Sequence, residues 1–230
     1  MKCNFIAMQL YVVIVAGGSG KRMGAEIPKQ FLELAGKPVL MHTIERFRAF
    51  NGSIEVITVL PENQLRRWIE LQKKHSFTIP QTLVKGGTAR FFSVRNGLKF
   101  VSEPGLVAIH DGVRPFVSTE TIQRCFAAAE QFGNAIPAIS PVESLRIVDE
   151  SGSRPINRLI VKQIQTPQVF SAELIKKAYR QDYRPEFSDD ATVLENTGEK
   201  INIVEGNREN IKITNPEDLT ISMALLPTIC

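Results

Sequence analysis

The sequence predicts a three-layer α/β fold, a mostly parallel sheet with helices on both faces and a protruding β-hairpin arm for dimerisation. Three observations predict it. Strand-like apolar runs alternate with segments of helical periodicity along most of the chain. Tyr11–Ala16 (YVVIVA) and Leu106–His110 (LVAIH) are apolar almost throughout, as strands buried on both faces are. Between Pro141 and Phe170 the rhythm gives way to short alternating strands around a Glu150-Ser151-Gly152-Ser153 turn.

Taken in order, strand Tyr11–Ala16 runs into a glycine-rich turn, and Leu40, Ile44 and Phe47 follow at helical spacing. Ile54–Leu60 reads as a strand. Pro61–His75 reads as a helix, with Leu65, Trp68, Ile69 and Gln72 as a partly apolar stripe and Pro61 at its start. Thr82–Lys85 is a short strand ending in Gly86-Gly87, and Thr88–Val101 a helix with Phe91, Val94, Leu98 and Val101 on one face. After strand Leu106–His110 come helix Ser118–Phe132, with Ser118 or Thr119 as N-cap, and strand Ala135–Ser140. Beyond the arm, helices are expected at Ser171–Arg180 and Ser188–Asn196, with Gly198 as C′ residue. Strands Ile201–Val204 and Asn210–Thr214 and a last helix after Pro216 complete the set. The expected whole is Rossmann-like: one domain over residues 8–226, with 141–165 as the arm. An arm of that size buries little surface alone, so it is expected to pack on a second copy of the chain.

Composition narrows the function classes. The 230 residues, 43% hydrophobic, support one large core or at most two small ones. No apolar run approaches the roughly 20 residues of a membrane span, and MKCNFIAMQL lacks the pattern of a secretory signal, with Met8 as the expected start of the structured part. Asn51-Gly52-Ser53 then reads as a turn rather than a glycosylated sequon. Cys3, Cys125 and Cys230 are far apart, which suggests reduced thiols in a cytoplasmic protein and no structural zinc. The net charge of +4 is dispersed and aromatics make up only 7%, so nucleic acid is not the expected partner. Several cations follow strands in loops, a pattern that suits a small anionic ligand. In such sheets ligands bind beyond the carboxyl ends of the strands, and the first glycine turn, Gly86-Gly87 and Asp111 all fall there.

The first turn, Gly17-Gly18-Ser19-Gly20, fits neither common nucleotide motif. A P-loop fails because Gly20-Lys21 is followed by Arg22 and Val15 stands five before Gly20. The dinucleotide fingerprint fails at Met23. Its physics remains: glycines after a strand let backbone N–H groups approach a phosphate, and Lys21, Arg22 and Lys29 add positive charge.

As a unit, AGGSGKRMGAEIPKQFLELAGKPVL resembles the N-terminal signature of sugar-phosphate nucleotidyltransferases, AGGxGxRMxxxxPKQFLxLxGxPxL. VKGGTARFFSVRNGL, IHDGVRPF, INRLIVKQIQTPQVF, FSDDATVLE and EGNRENIKITNPEDL follow in that order. Together they resemble the 2-C-methyl-D-erythritol 4-phosphate cytidylyltransferase family of non-mevalonate isoprenoid biosynthesis, from Tyr11 to about Leu225.

The resemblance implies attack of a sugar-phosphate oxygen on the α-phosphorus of CTP, with Mg²⁺ as cofactor and a homodimer as the working unit. It implies catalytic roles for Arg22, Lys29, Arg158 and Lys212. It assigns the nucleotide to Ala16, Gly17, Gly18, Ser19, Gly20, Gly86, Gly87, Thr88, Ser93 and Asp111, with Asp111 also near the metal. Thr88 stands where the family often has Asp. Arg158, Thr166 and Lys212 match sugar-phosphate positions, with Arg158 reaching the neighbouring subunit's site and Arg114 bracing its loop or touching ligand. PVESLRIV departs from the family's P-V-x-D-T-x-K: Ser144 takes the place of a substrate-binding Thr and Arg146 that of the Lys. That departure keeps ribitol 5-phosphate open as an alternative substrate, and a non-catalytic nucleotide-binding protein remains the alternative of another class. His110 is expected to be structural. Asp189-Asp190 are expected to complement a helix dipole behind an N-cap at Ser188.

Overall fold

The computed structural model describes residues 8–17 and 27–228. Its strands are β1 (Gln9–Val15), β2 (Glu33–Leu34), β3 (Lys37–Pro38), β4 (Glu55–Leu60), β5 (Thr82–Lys85), β6 (Gly105–Asp111), β7 (Asn134–Ile139), β8 (Leu145–Asp149), β9 (Gly152–Ile156), β10 (Gln163–Ile164), β11 (Gln168–Ser171) and β12 (Ile203–Glu205). The helices are α1 (Val39–Phe50), α2 (Glu62–Lys74), α3 (Arg90–Leu98), α4 (Thr119–Phe132), α5 (Ala172–Ala178), α6 (Asp190–Glu195) and α7 (Pro216–Leu225). Among the described residues, no helix is long and apolar enough to cross a membrane.

The main sheet has 8 strands in the order β10-β7-β11-β6-β1-β4-β5, with β12 also on β7. β1, β4, β5 and β6 run parallel, while β11 is antiparallel to both β6 and β7. β1 and β6 are central because every residue must bury on one face or the other. Val12 and Ile14 pack beneath α1, α2 and α4 with Phe47, Trp68 and Phe126. Tyr11 and Val13 face the opposite layer with Phe91, Leu98 and Ile175. This period-2 division of a continuous apolar run is what a two-faced sheet requires.

β10 and β11 form an interrupted strand beside β7. Ile164 pairs with Ala138 and Val169 with Ala135, so four residues span a gap that two span on β7. The extra residues bulge at Gln165-Thr166-Pro167, which aims Thr166 at the end of β6. β8 and β9 form a separate two-stranded antiparallel hairpin, paired from Leu145↔Ile156 to Asp149↔Gly152.

Several expected boundaries shift. α3 starts at Arg90, leaving Thr88 in the loop. The cap of α6 is Asp189, not Ser188: its carboxylate accepts the Thr192 N–H at 3.0 Å, and the Thr192 hydroxyl answers on the Asp189 backbone. Asn210–Thr214 forms no strand, because its polar groups bond side chains and isolated carbonyls rather than a neighbouring ladder. Ser118 caps α4 as expected, accepting the Thr121 N–H, and Gly133 closes that helix at φ +83°. Cys125 is buried and its thiol is pushed up to about 12, an inert core residue.

Candidate active site

A cleft of about 310 Å³ opens at the carboxyl ends of β1 and β6, between the β5–α3 loop and the Lys29 turn. A second cleft of about 180 Å³ adjoins it on the β10–β11 side, and Arg90, Asp111 and Lys212 border both.

Lys29 stands on a single 3-10 turn, Lys29–Phe31, entered through Pro28. Phe31 stacks on Trp68 of α2 with ring centroids 5.9 Å apart, which fixes the turn against the core. Lys29 is thus held at the cleft by an aromatic anchor two residues on. Gln30 also lines the cleft; it is buried and its amide has no hydrogen-bond partner among the described residues.

The glycine pair is built for close packing. A Cβ at Gly87 would lie 2.3 Å from the Phe92 Cβ. The Gly86 N–H bonds the Leu60 carbonyl at 2.8 Å, and the Gly87 N–H bonds the Ser93 hydroxyl at 3.0 Å, which itself donates to the Ala89 carbonyl. Both glycine donors are therefore committed within the fold, and the groups of this loop left to meet a ligand are others, its carbonyl acceptors among them.

Asp111 ends β6 as the meeting point of three cations. Its Oδ2 lies 2.9 Å from Lys212 Nζ and 3.3 Å from Arg114 Nε, and its Oδ1 is 4.0 Å from Arg90 Nε. Burial pushes the carboxyl up, but Lys212, Arg90 and Arg114 together pull it well below the usual carboxylate range. Arg90 is fixed in turn by Asp190, with Nη1–Oδ1 at 2.8 Å and Nη2–Oδ2 at 2.6 Å, and the Tyr179 hydroxyl donates to the same Asp190 at 2.6 Å. Burial lowers the Arg90 guanidinium and Asp190 more than reverses it.

Behind Asp111, the Thr166 hydroxyl accepts the Asp111 N–H at 3.2 Å and lies 2.9 Å from His110 Nδ1. His110 Nε2 meets the Arg114 carbonyl at 3.0 Å, an acceptor, so Nε2 carries the proton and Nδ1 accepts from Thr166. Burial pushes His110 down to about 4, which keeps this neutral tautomer. His110 is structural, as expected from the sequence.

The fold gathers Ala16, Gly17, Lys29, Gly87, Thr88, Ser93, Asp111 and Lys212 around the larger cleft and adds Thr166 in the smaller one. Gly86 stands behind its neighbour, bonded to β4. Gly18, Ser19, Gly20, Lys21 and Arg22 lie outside the described residues. Ser144 and Arg158 are exposed on the arm and line neither cleft; Arg158 donates to the Val142 carbonyl. Arg146 is tied within the hairpin, Nη2 to the Ser153 carbonyl at 2.8 Å.

Sequence reasoning missed Arg90 and gave Asp190 to a helix dipole. The available signal was weak: an arginine two residues past Thr88, and a second acid after one that already caps the helix. Asn210, expected to open a strand, is instead a buried junction described below.

Among the described residues no cluster of three or more acidic, His or Cys side chains exists. Asp111 alone fits an ion carried in on a triphosphate, because Mg²⁺ takes one or two carboxylates with substrate phosphates completing the shell. Without nucleotide, the described residues offer too few ligands for a resident ion.

The sequence and the fold are similar to those of known proteins. A family model described as 2-C-methyl-D-erythritol 4-phosphate cytidylyltransferase matches residues 10–228. A protein of that name from Bacteroides thetaiotaomicron is 51% identical over 95% of this chain and 100% of its own length. One from Bacteroides fragilis is 53% identical over 93% of this chain and 98% of its own. Among solved structures, 4-diphosphocytidyl-2C-methyl-D-erythritol synthase from Anaerococcus prevotii superposes with a TM-score of 0.81 at 30% identity, covering 96% of both chains. The cytidylyltransferase from Thermus thermophilus gives 0.77 at 30% identity, covering 95% of this chain and 98% of that one.

Proposed function

The chain belongs to the 2-C-methyl-D-erythritol 4-phosphate cytidylyltransferase family and is a nucleotidyltransferase, and from that premise we propose how its residues join CTP to the sugar phosphate. The observation that supports the assignment of roles is the cluster of Lys212, Arg90 and Arg114 around Asp111 at the mouth of a cleft that Lys29 also lines.

The triphosphate lies along the Lys29 side, with the base toward Gly87 and Ser93. An oxygen of the methylerythritol phosphate attacks the α-phosphorus, the bond to the β-phosphate breaks, and pyrophosphate leaves while 4-diphosphocytidyl-2-C-methyl-D-erythritol forms. Two unit charges about 5 Å apart at an effective dielectric near 20 repel by roughly 3 kcal/mol, and these partners carry several charges each. Charge compensation and alignment are therefore the main requirement. Arg22 and Lys29 stabilise charge at the α- and β-phosphates, and Lys212 and Arg158 hold the attacking phosphate. That phosphate is ionised near neutrality and needs no general base, so the neutral, internally bonded His110 is no obstacle. Asp111 would be the protein ligand of Mg²⁺, which would supply positive charge against the phosphates.

The working unit is a homodimer in which the arm of one protomer supplies Arg158 to its partner's site. Support comes from the isolated hairpin and its flank, where Val148, Leu159 and Ile160 are 75%, 80% and 77% exposed. A two-stranded hairpin with exposed apolar side chains gains from a covering partner.

The test is pyrophosphate release from purified protein with CTP and Mg²⁺, offered methylerythritol phosphate and ribitol 5-phosphate in parallel. Preference for the former by kcat/KM is expected. A tenfold preference for ribitol phosphate, about 1.4 kcal/mol, moves the assignment to the alternative sugar, and no release with either substrate removes catalysis. Sedimentation that finds an active monomer removes the role of Arg158 in a partner's site.

A further inference from the structure

Lys212 sits on residues 206–214, a stretch with neither helix nor strand between β12 and α7. A flexible lysine on an irregular loop is a poor means of placing a charge unless the loop is fixed close by. Asn210, two residues before Lys212, is fully buried at 0% exposure, as is Ile213 one residue after it. Its Nδ2 donates to the Thr166 carbonyl at 2.7 Å, within the β10–β11 bulge. Its own carbonyl accepts Arg114 Nη1 at 2.7 Å. One residue thus joins the bulge, the loop after β6 and the Lys212 loop, and each of these brings a side chain to Asp111 or to its N–H. The loop is also pinned on both sides, by the Asn207 Nδ2 bond to the Phe116 carbonyl at 2.9 Å and by the Ile213 N–H bond to the Val113 carbonyl at 2.9 Å.

A second observation separates placement from mere stability. Asn210 Oδ1 is buried with no hydrogen-bond partner among the described residues. An orphaned acceptor destabilises the fold, so the site keeps an imperfect side chain whose one strong bond is the tether to Thr166. Local compromises of this kind belong where function constrains the structure.

We propose that Asn210 is a positioning residue for the transfer reaction, acting through Lys212. The proposal rests on the cytidylyltransferase reading above. Without the tether the loop relaxes, and Lys212 Nζ loses its resting place 2.9 Å from Asp111, from which it passes to the attacking phosphate. CTP, held mainly by the opposite wall of the cleft, binds as before.

The test is a double-mutant cycle on the full chain with Asn210→Ala, Lys212→Ala and the pair, following kcat and KM for both substrates, CTP affinity by calorimetry and thermal melting. Asn210→Ala is expected to lower kcat by about tenfold to a hundredfold, as small misplacements in a site do, with CTP affinity changed less than about twofold. In the Lys212→Ala background the same substitution should cost less than about twofold, because what it positions is gone. An equal loss in both backgrounds overturns the proposal, and so does a loss of CTP affinity that parallels the loss of kcat. Should Asn210→Ala fail to fold, the similarly sized Asn210→Leu, which fills the site and lacks the donor toward Thr166, carries the same cycle. Additivity in an active enzyme sinks this inference alone, whereas an inactive wild-type protein sinks the functional reading beneath it as well.

Discussion

Replacing Asp190 by Asn puts the central electrostatic claim at risk. Asp190 is fully buried, bonded by two short contacts to the Arg90 guanidinium and by a third to Tyr179. Asn keeps the shape and one acceptor but removes the charge, leaving a guanidinium beside an uncharged amide. Removing one partner of a buried pair costs about 3–5 kcal/mol, and the retained acceptor places this substitution near the low end. In a chain of 230 residues about 3 kcal/mol lowers Tm by roughly 6–12 °C. If Asp190 merely complemented the α6 dipole, the loss would be about 0.3–1 kcal/mol, or no more than about 4 °C. Thermal melting by circular dichroism, checked by urea denaturation, separates the two. A paired replacement, Arg90→Met with Asp190→Leu, should be more stable than Asp190→Asn alone, since apolar groups leave no uncompensated charge. A drop below about 4 °C, or a pair less stable than the single variant, refutes the reasoning.

Three further outcomes are expected. Gly87→Ala forces a Cβ to within 2.3 Å of Phe92, so it should lower both melting temperature and CTP affinity, while Gly52→Ala, with nothing within 4 Å, should leave both close to wild type. Lys29→Ala should lower kcat by about a hundredfold or more with a modest change in CTP affinity, the signature of a contact that strengthens in the transition state; calorimetry beside steady-state kinetics reads the split. His110, pushed from 6.5 to about 4 by burial, binds its proton in the unfolded chain first, so stability is complete above about pH 6.5 and falls as pH drops toward 4, by about 3 kcal/mol for this group. Urea titrations across that window should show a shallower slope in His110→Gln.

The sequence made legible those parts whose partners are close or whose faces are all buried. β1 and β6 were readable because every position of VVIVA and LVAIH must meet a layer of helices. α4 was readable because its Ser118 cap and Gly133 stop are local chemistry. Asn210–Thr214 misled for a physical reason: NIKIT alternates like a half-buried strand, and Ile213 is indeed buried, but the loop is satisfied by Arg114, Thr166 and Val113 from three other places. Thr88 was drawn into α3 because helical periodicity does not reveal that Gly87 must first turn its N–H onto Ser93. The family motifs carried Lys29, Asp111 and Lys212 to one cleft, but not Arg90 with Asp190. Those two are 100 residues apart, and neither spacing nor composition marks them as a pair.

That pair bears on the proposed chemistry through what each cation near Asp111 is free to do. Arg90 is clamped on Asp190, and Arg114 is bonded to the Asn210 carbonyl. Lys212 is half-exposed, and Asp111 is the one ion-pair partner it has among the described residues. On the proposed reading, Lys212 is therefore the cation that can exchange a single carboxylate for an entering phosphate. The exchange does not leave a bare buried charge, because Asp111 still faces two arginines held from behind. A lone buried carboxylate losing its only partner would be expensive and would resist the exchange. With two fixed cations and one movable cation, the same carboxylate can, on the proposed reading, hold Lys212 and release it to substrate while its N–H stays on Thr166. On this argument the arginines serve the reaction without touching the reacting atoms, by lowering the cost of moving the lysine.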